Sequence, residues 1–246
     1  MTSPHPPLWR RAIAELLGTC LLVSIVVGSG IAAQQLSPRD VGLQLLENST
    51  ATVLGLAVLI LVLGPVSGAH FNPVVSAAGW FLGRRHRSGL GLAELGVYVT
   101  AQAAGGIAGS VLANAMFGIG TAISGKDRAS GGHLLAEVVA TAGLIVLIFA
   151  LAATNRDALA APAVAAYIGA AYWFTSSTSF ANPAVTAGRI FSDTFAGIAP
   201  SSAPPFILAQ VAGAAVGLGI LALLFPTAPP GAGDTVLPRS LETTAS

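Results

Sequence analysis

The chain of 246 residues has one cysteine, Cys20, and only 9% charged residues. A single cysteine excludes any disulfide framework within the chain. Its place inside an apolar run makes it a small core hydrophobe. The scarcity of charge excludes an ordinary water-facing surface, since soluble domains carry about 25% Asp, Glu, Lys and Arg. A net charge of +1 offers no basic stripe for phosphates, which excludes nucleic acid as a partner. No group of His, Cys, Asp and Glu has ligand spacing, so no metal and no cofactor is expected. There is also no nucleophile with a neighbouring base, no phosphate loop and no dinucleotide fingerprint, and enzyme chemistry is not expected.

What the chain does have is apolar length: 54% of its residues are hydrophobic, gathered in long runs between short polar clusters. That pattern is an all-α, polytopic membrane protein. The first run, with Arg10 and Arg11 ahead of it, resembles a cleaved signal. Glu15 inside it and its length of about one ~30 Å bilayer core argue for a retained span. Six spans are expected, at 9–33, 49–68, 91–118, 133–153, 159–178 and 203–226. Two further stretches, starting at Asn72 and Asn182, have about ten helix-compatible residues each, ~15 Å or half a span. The ends, 1–8 and 227–246, are rich in Pro, Ser, Thr and Gly and read as disordered tails. Arg10, Arg11, Arg84, Arg85, Arg87, Arg156 and Arg239 fall on the amino-terminal side, against Arg39, Lys126, Arg128 and Arg189 opposite. That bias puts both termini in the cytoplasm.

The chain repeats itself. AELLGT (14–19) is echoed by AEVVAT (136–141), and AQAAGG (101–106) by AQVAGA (209–214); each half carries one Asn-Pro element between its pair. Residues 9–118 and 133–226 thus form two repeats joined by an extracytoplasmic linker at 119–132. With three spans per repeat, the second must be inserted upside down relative to the first. Asn72-Pro73 and Asn182-Pro183 each read as a helix start, with the asparagine as cap and the proline at the first helical position. Helix starts at membrane depth are tolerated only in protein or along a water-filled path. Two inverted starts therefore predict a path, with positive dipole ends and asparagine amides turned toward passing solutes.

SGAHFNPVVS (67–76) and SFANPAVTAGR (179–189), with the duplicated glutamate and six spans, resemble the aquaporin, or major intrinsic protein, family over all but the tails. The resemblance implies an hourglass channel in each protomer, a homotetramer in the bilayer, and passive flow of water and small neutral solutes. It also implies that Glu15 and Glu137 brace the loops leading into the half-helices. Their alternative role, as proton carriers in an ion-coupled secondary transporter, remains open at this stage. His70 is expected near the cytoplasmic vestibule, as a pore-lining or a loop-bonding group, and His133 at the start of a span.

Two departures stand out. The family's usual Asn-Pro-Ala is kept at Asn182-Pro183-Ala184 but is Asn72-Pro73-Val74 in the first repeat. The arginine that usually follows the second motif is Val185 here. Counting from the motifs carries the family's four-residue constriction onto Thr52, Ala170, Ser179 and Val185, a ring without arginine or aromatic. Such a ring implies a wide filter passing glycerol, urea and metalloid hydroxides such as arsenous acid. It also resembles a bacterial subgroup associated with arsenic compounds, methylated ones included, of the inner membrane. Arg189, one helical turn beyond Val185, either reaches back to the mouth or snorkels outward as an ordinary C-terminal arginine. YWF (172–174) and Trp80 read as packing and interfacial anchors.

Overall fold

The computed structural model describes residues 6–84 and 89–226. Arg85, Arg87 and Arg239 of the charge count, the expected tail at 227–246 and residues 1–5 of the one expected at 1–8 lie outside the described residues, while Leu8 already opens the first helix. The helices are α1 (Leu8–Leu36), α2 (Val41–Ser67), α3 (Pro73–Gly83), α4 (Leu92–Met116), α5 (Gly131–Ala153), α6 (Ala160–Phe174), α7 (Pro183–Arg189) and α8 (Ala203–Leu224). A 3-10 turn, Asp157–Leu159, leads into α6. Among the described residues five helices are long and apolar enough to cross a membrane; α6, of 15 residues with that turn at its start, stands in the place of the expected sixth span. The half-helices are α3 and α7.

Three boundaries differ from the sequence expectation, each for a local reason. Helix α2 begins at Val41 and not near 49, because polar residues that look like a loop are used inside the fold. Asp40 caps it through Leu43 N–H (2.9 Å), Gln44 donates to the Ser37 carbonyl (2.8 Å), and Asn48 donates to the Val26 carbonyl (2.8 Å). Helix α6 ends at Phe174, where Thr175 turns extended. Helix α7 has seven residues in place of ten.

Packing follows the repeat. Helix α1 lies on α4 and α2, and α5 lies correspondingly on α8 and α6, while each half-helix reaches a span of the opposite repeat, α3 to α8 and α7 to α4. Lipid is as apolar as leucine, so association depends on close approach and not on hydrophobicity. Small residues supply it. A Cβ added to Gly109 would stand 2.3 Å from the Cys20 carbonyl oxygen, and one on Gly217 2.7 Å from that of Ala142. The GIAGS and GAAVG stretches are therefore consumed inside the chain.

Candidate functional site

The two half-helices begin face to face and are tied to each other. Asn72 Oδ1 accepts Val74 N–H (3.1 Å); Asn182 Oδ1 accepts Ala184 N–H (2.9 Å) and Val185 N–H (3.2 Å). Each amide nitrogen then crosses to the other repeat: Asn72 Nδ2 donates to the Ala181 carbonyl and Asn182 Nδ2 to the Phe71 carbonyl, both at 2.8 Å. One of the two N–H groups on each amide is thus spent on holding the motifs together. The second has no protein acceptor among the described residues.

The loops entering these starts are strained in the same way. Ala69, Phe71, Ser179 and Ala181 all have φ between 46° and 51°, a conformation that L residues reach at a cost of order 1 kcal/mol or more each. Each loop is held there by one buried carboxylate. Glu15 accepts His70 N–H (3.0 Å), Phe71 N–H (2.7 Å), Ser67 Oγ (2.6 Å) and Gln102 Nε2 (2.7 Å). Glu137 accepts Phe180 N–H (2.9 Å), Ala181 N–H (2.8 Å) and Gln210 Nε2 (2.7 Å). Gln102 and Gln210 bridge onward to Ser76 and Thr186, both at 2.9 Å, so that each glutamate, glutamine and hydroxyl forms one unit per repeat.

Between the motifs lies a cavity of about 60 Å³, room for a few water molecules. Its wall is largely apolar, from Leu22, Val26, Ile60, Leu144, Ile148 and Val164. Asn72, Asn182, His70, Thr52, Tyr172, Ser179 and Arg189 supply its polar lining, and Val185 lines it too. The Thr52 hydroxyl meets the Tyr172 hydroxyl at 3.2 Å, and Ser179 Oγ, buried, has no partner among the described residues. His70 Nδ1 lies 3.0 Å from Ser76 Oγ, with its ring edge-on to Tyr98.

One expectation is corrected here. Ala170 does not line the cavity; it is exposed on the outer side of α6, and Tyr172, half a turn on, faces inward. Counting along a helix fixes distance from the motif but not its rotation. Arg189, for which two readings stood open, is among the residues that line the cavity. Arg189 is 3% exposed and lies 3.5 Å over the Phe180 ring, its Nε donating to the Ala196 carbonyl. No hydrogen bond to its terminal nitrogens is found among the described residues. The side chain turns inward because the 195–197 segment offers it a carbonyl and Phe180 a ring face.

Sequence reasoning missed Arg128. From the linker, its Nε donates to the Gly197 carbonyl (2.7 Å) and its terminal nitrogen to that of Phe195 (3.0 Å), while its guanidinium lies 5.3 Å from the Phe180 ring centre. Two arginines thus hold three consecutive carbonyls and one ring between them. Burial lowers the Arg128 guanidinium to about 10, with Tyr172 and Glu137 opposing the shift, so it stays charged at neutral pH. Nothing in its sequence neighbourhood marks it, since the carbonyls it binds are about 70 residues away. Arg128→Lys, which cannot form the fork, is expected to lower stability by ~1–2 kcal/mol, read as a lower thermal unfolding midpoint in detergent.

Inverted half-helices joined at their asparagines are a family trait, and comparison with known proteins decides which family. The sequence profile described as major intrinsic protein matches residues 2–181. The chain belongs to the major intrinsic protein family. Among its relatives, the aquaglyceroporin AqpS of Rhizobium meliloti is 46% identical over 91% of this chain and 93% of its own length. Aquaporin Z of Photorhabdus laumondii is 33% identical over 88% of this chain and 97% of its own. The X-ray structure of the aquaglyceroporin from Plasmodium falciparum superposes with a TM-score of 0.65 at 20% identity, over 89% of this chain and 97% of that one. This family member is an integral multi-pass channel protein and not an enzyme.

Proposed function

We propose that this family member is a passive channel for water and small neutral solutes, glycerol first among them. Urea and undissociated arsenous acid, with its methylated forms, belong to the same size and charge class. One observation carries the reading: the cavity at the paired asparagines is lined by hydroxyl, amide and guanidinium groups as well as by apolar side chains. A polyol presents hydroxyls on one edge and carbon on the other, and it can meet both kinds of group at once. A cation finds too few oxygens to replace its hydration shell, and meets two positive helix ends and Arg189.

The constriction is assigned to Thr52, Tyr172, Ser179, Val185 and Arg189, with Ser179 Oγ and the Arg189 nitrogens as donors to solute. It is therefore tighter and more polar than an arginine-free ring. Glu15 and Glu137 serve as loop braces, and His70 as a luminal group held by Ser76. The bonding argues against ion coupling, because both oxygens of each glutamate accept backbone and side-chain donors. We further assign a homotetramer, residence in a bacterial inner membrane, and cytoplasmic termini, on family resemblance and the arginine bias.

Stopped-flow light scattering on proteoliposomes tests the proposal. Swelling after a hyperosmotic glycerol step should be much faster than in empty vesicles, linear in concentration, and independent of any ion gradient. Saturation, or dependence on a sodium or proton gradient, points to the coupled transporter instead.

A further inference from the structure

The two half-helices sit unequally against the opposite repeat. Helix α7 lies directly on α4: a Cβ on Gly188 would stand 2.3 Å from the Gly106 carbonyl oxygen, and one on Gly106 2.5 Å from that of Ala184. The matching trio in the other half is larger at every position. Val74 takes the place of Ala184, two residues after the asparagine; Ala78 takes that of Gly188, six after it; Ala214 takes that of Gly106, four after the glutamine. The extra carbons hold α3 and α8 apart. Between these helices runs an apolar groove of about 550 Å³, walled by Val74, Ala78, Trp80, Phe81, Ala214 and Leu218. The valine of Asn-Pro-Val thus belongs to this outer groove.

The groove follows α3, whose 11 residues span ~16 Å, the depth of one leaflet of a ~30 Å core. At its far end the Arg84 guanidinium stacks 4.0 Å over the Phe81 ring and 5.8 Å from that of Trp80, with no carboxylate paired to it among the described residues. An apolar slot of leaflet depth that ends in an uncompensated arginine at the headgroup level has the charge pattern of an anionic lipid. We propose that the groove binds an anionic phospholipid, one acyl chain lying along α3 and the phosphate on Arg84. Its chain would rest on Val74, two residues from Asn72, which puts the lipid in contact with the half-helix that forms the pore.

Trp80 reports on the groove. With Trp9 and Trp173, both exposed, replaced by phenylalanine, Trp80 is the one remaining tryptophan and can be excited selectively, to the red of tyrosine absorption. The variant is reconstituted in phosphatidylcholine containing a fixed fraction of brominated-chain lipid, either phosphatidylglycerol or phosphatidylcholine. Brominated phosphatidylglycerol should quench Trp80 with about fivefold higher apparent affinity, the preference expected of one arginine at an anionic headgroup. Arg84→Gln should abolish the preference while leaving quenching by both lipids. Gly219→Leu, which fills open space in the groove, should remove quenching by both. Equal quenching by the two lipids in the Arg84 protein, or a preference that survives Arg84→Gln, overturns the proposal. So does an absence of quenching, which would mean that a second copy of the chain covers the face. Water permeability of each variant, measured alongside, should stay at the parent value.

Discussion

Glu15→Ala is expected to yield no monodisperse channel. The carboxylate accepts two backbone N–H groups, the Ser67 hydroxyl and the Gln102 amide, and is itself fully buried. Its removal orphans four donors at ~1–3 kcal/mol each, a sum comparable to the whole stability of a domain. It also removes one of the bonds that hold Phe71 in its left-handed backbone and frees the Ser67 hydroxyl, which accepts the Ala69 N–H (3.1 Å). Glu15→Gln is the sharper experiment. One oxygen of the pair becomes an NH₂ facing two existing donors, so the variant should assemble in strongly reduced yield. The fraction that does assemble should retain the parent ranking of solutes. Size-exclusion chromatography in detergent reads the first effect and proteoliposome swelling the second. Normal yield with an altered ranking would turn the carboxylate from brace into pore group. Glu137→Gln should behave alike, since Glu137 makes the same pair of backbone bonds in the other repeat.

This symmetry is also why so much of the molecule could be read from its sequence. A duplicated order of glutamate, Asn-Pro and glutamine constrains topology through parity, and hydropathy locates the spans between. Polar residues that face protein inside the membrane escape such a reading. Asn48 looked like loop because hydropathy cannot tell an exposed amide from one that donates to the Val26 carbonyl. Tyr172 was hidden by rotation about α6: an aromatic at a helix end reads as an interfacial anchor until its hydroxyl is seen on Thr52. Arg128 was hidden by distance along the chain. Arg189 carried two compatible readings, and the deciding groups, the Phe180 ring and the Ala196 carbonyl, sit on segments whose positions no spacing rule supplies.

Arg189 is also where selectivity should change most. With Val185 in place of the family's usual arginine, the guanidinium comes from one turn further along α7 and folds back on Phe180. Arg189→Gln keeps a donor and removes the charge. Glycerol permeability should rise severalfold, and proteoliposomes loaded with a pH-sensitive dye should leak protons measurably faster, because the remaining barrier rests on two helix dipoles. Val185→Arg places a second guanidinium in the same throat and should cut glycerol flux about tenfold, the factor that 1.4 kcal/mol of added barrier produces. The exchange Val185→Arg with Arg189→Val is the deciding variant. It moves one charge by one helical turn at constant net charge, so it should restore proton exclusion to the parent level while glycerol flux stays reduced. Were the exchange to leak protons like Arg189→Gln, the inward fold of Arg189 onto Phe180 would be essential in itself, beyond the presence of an arginine at the mouth. Were Arg189→Gln indistinguishable from the parent in both assays, the guanidinium would have no part in the constriction, and the barrier would have to be sought in the paired asparagines alone.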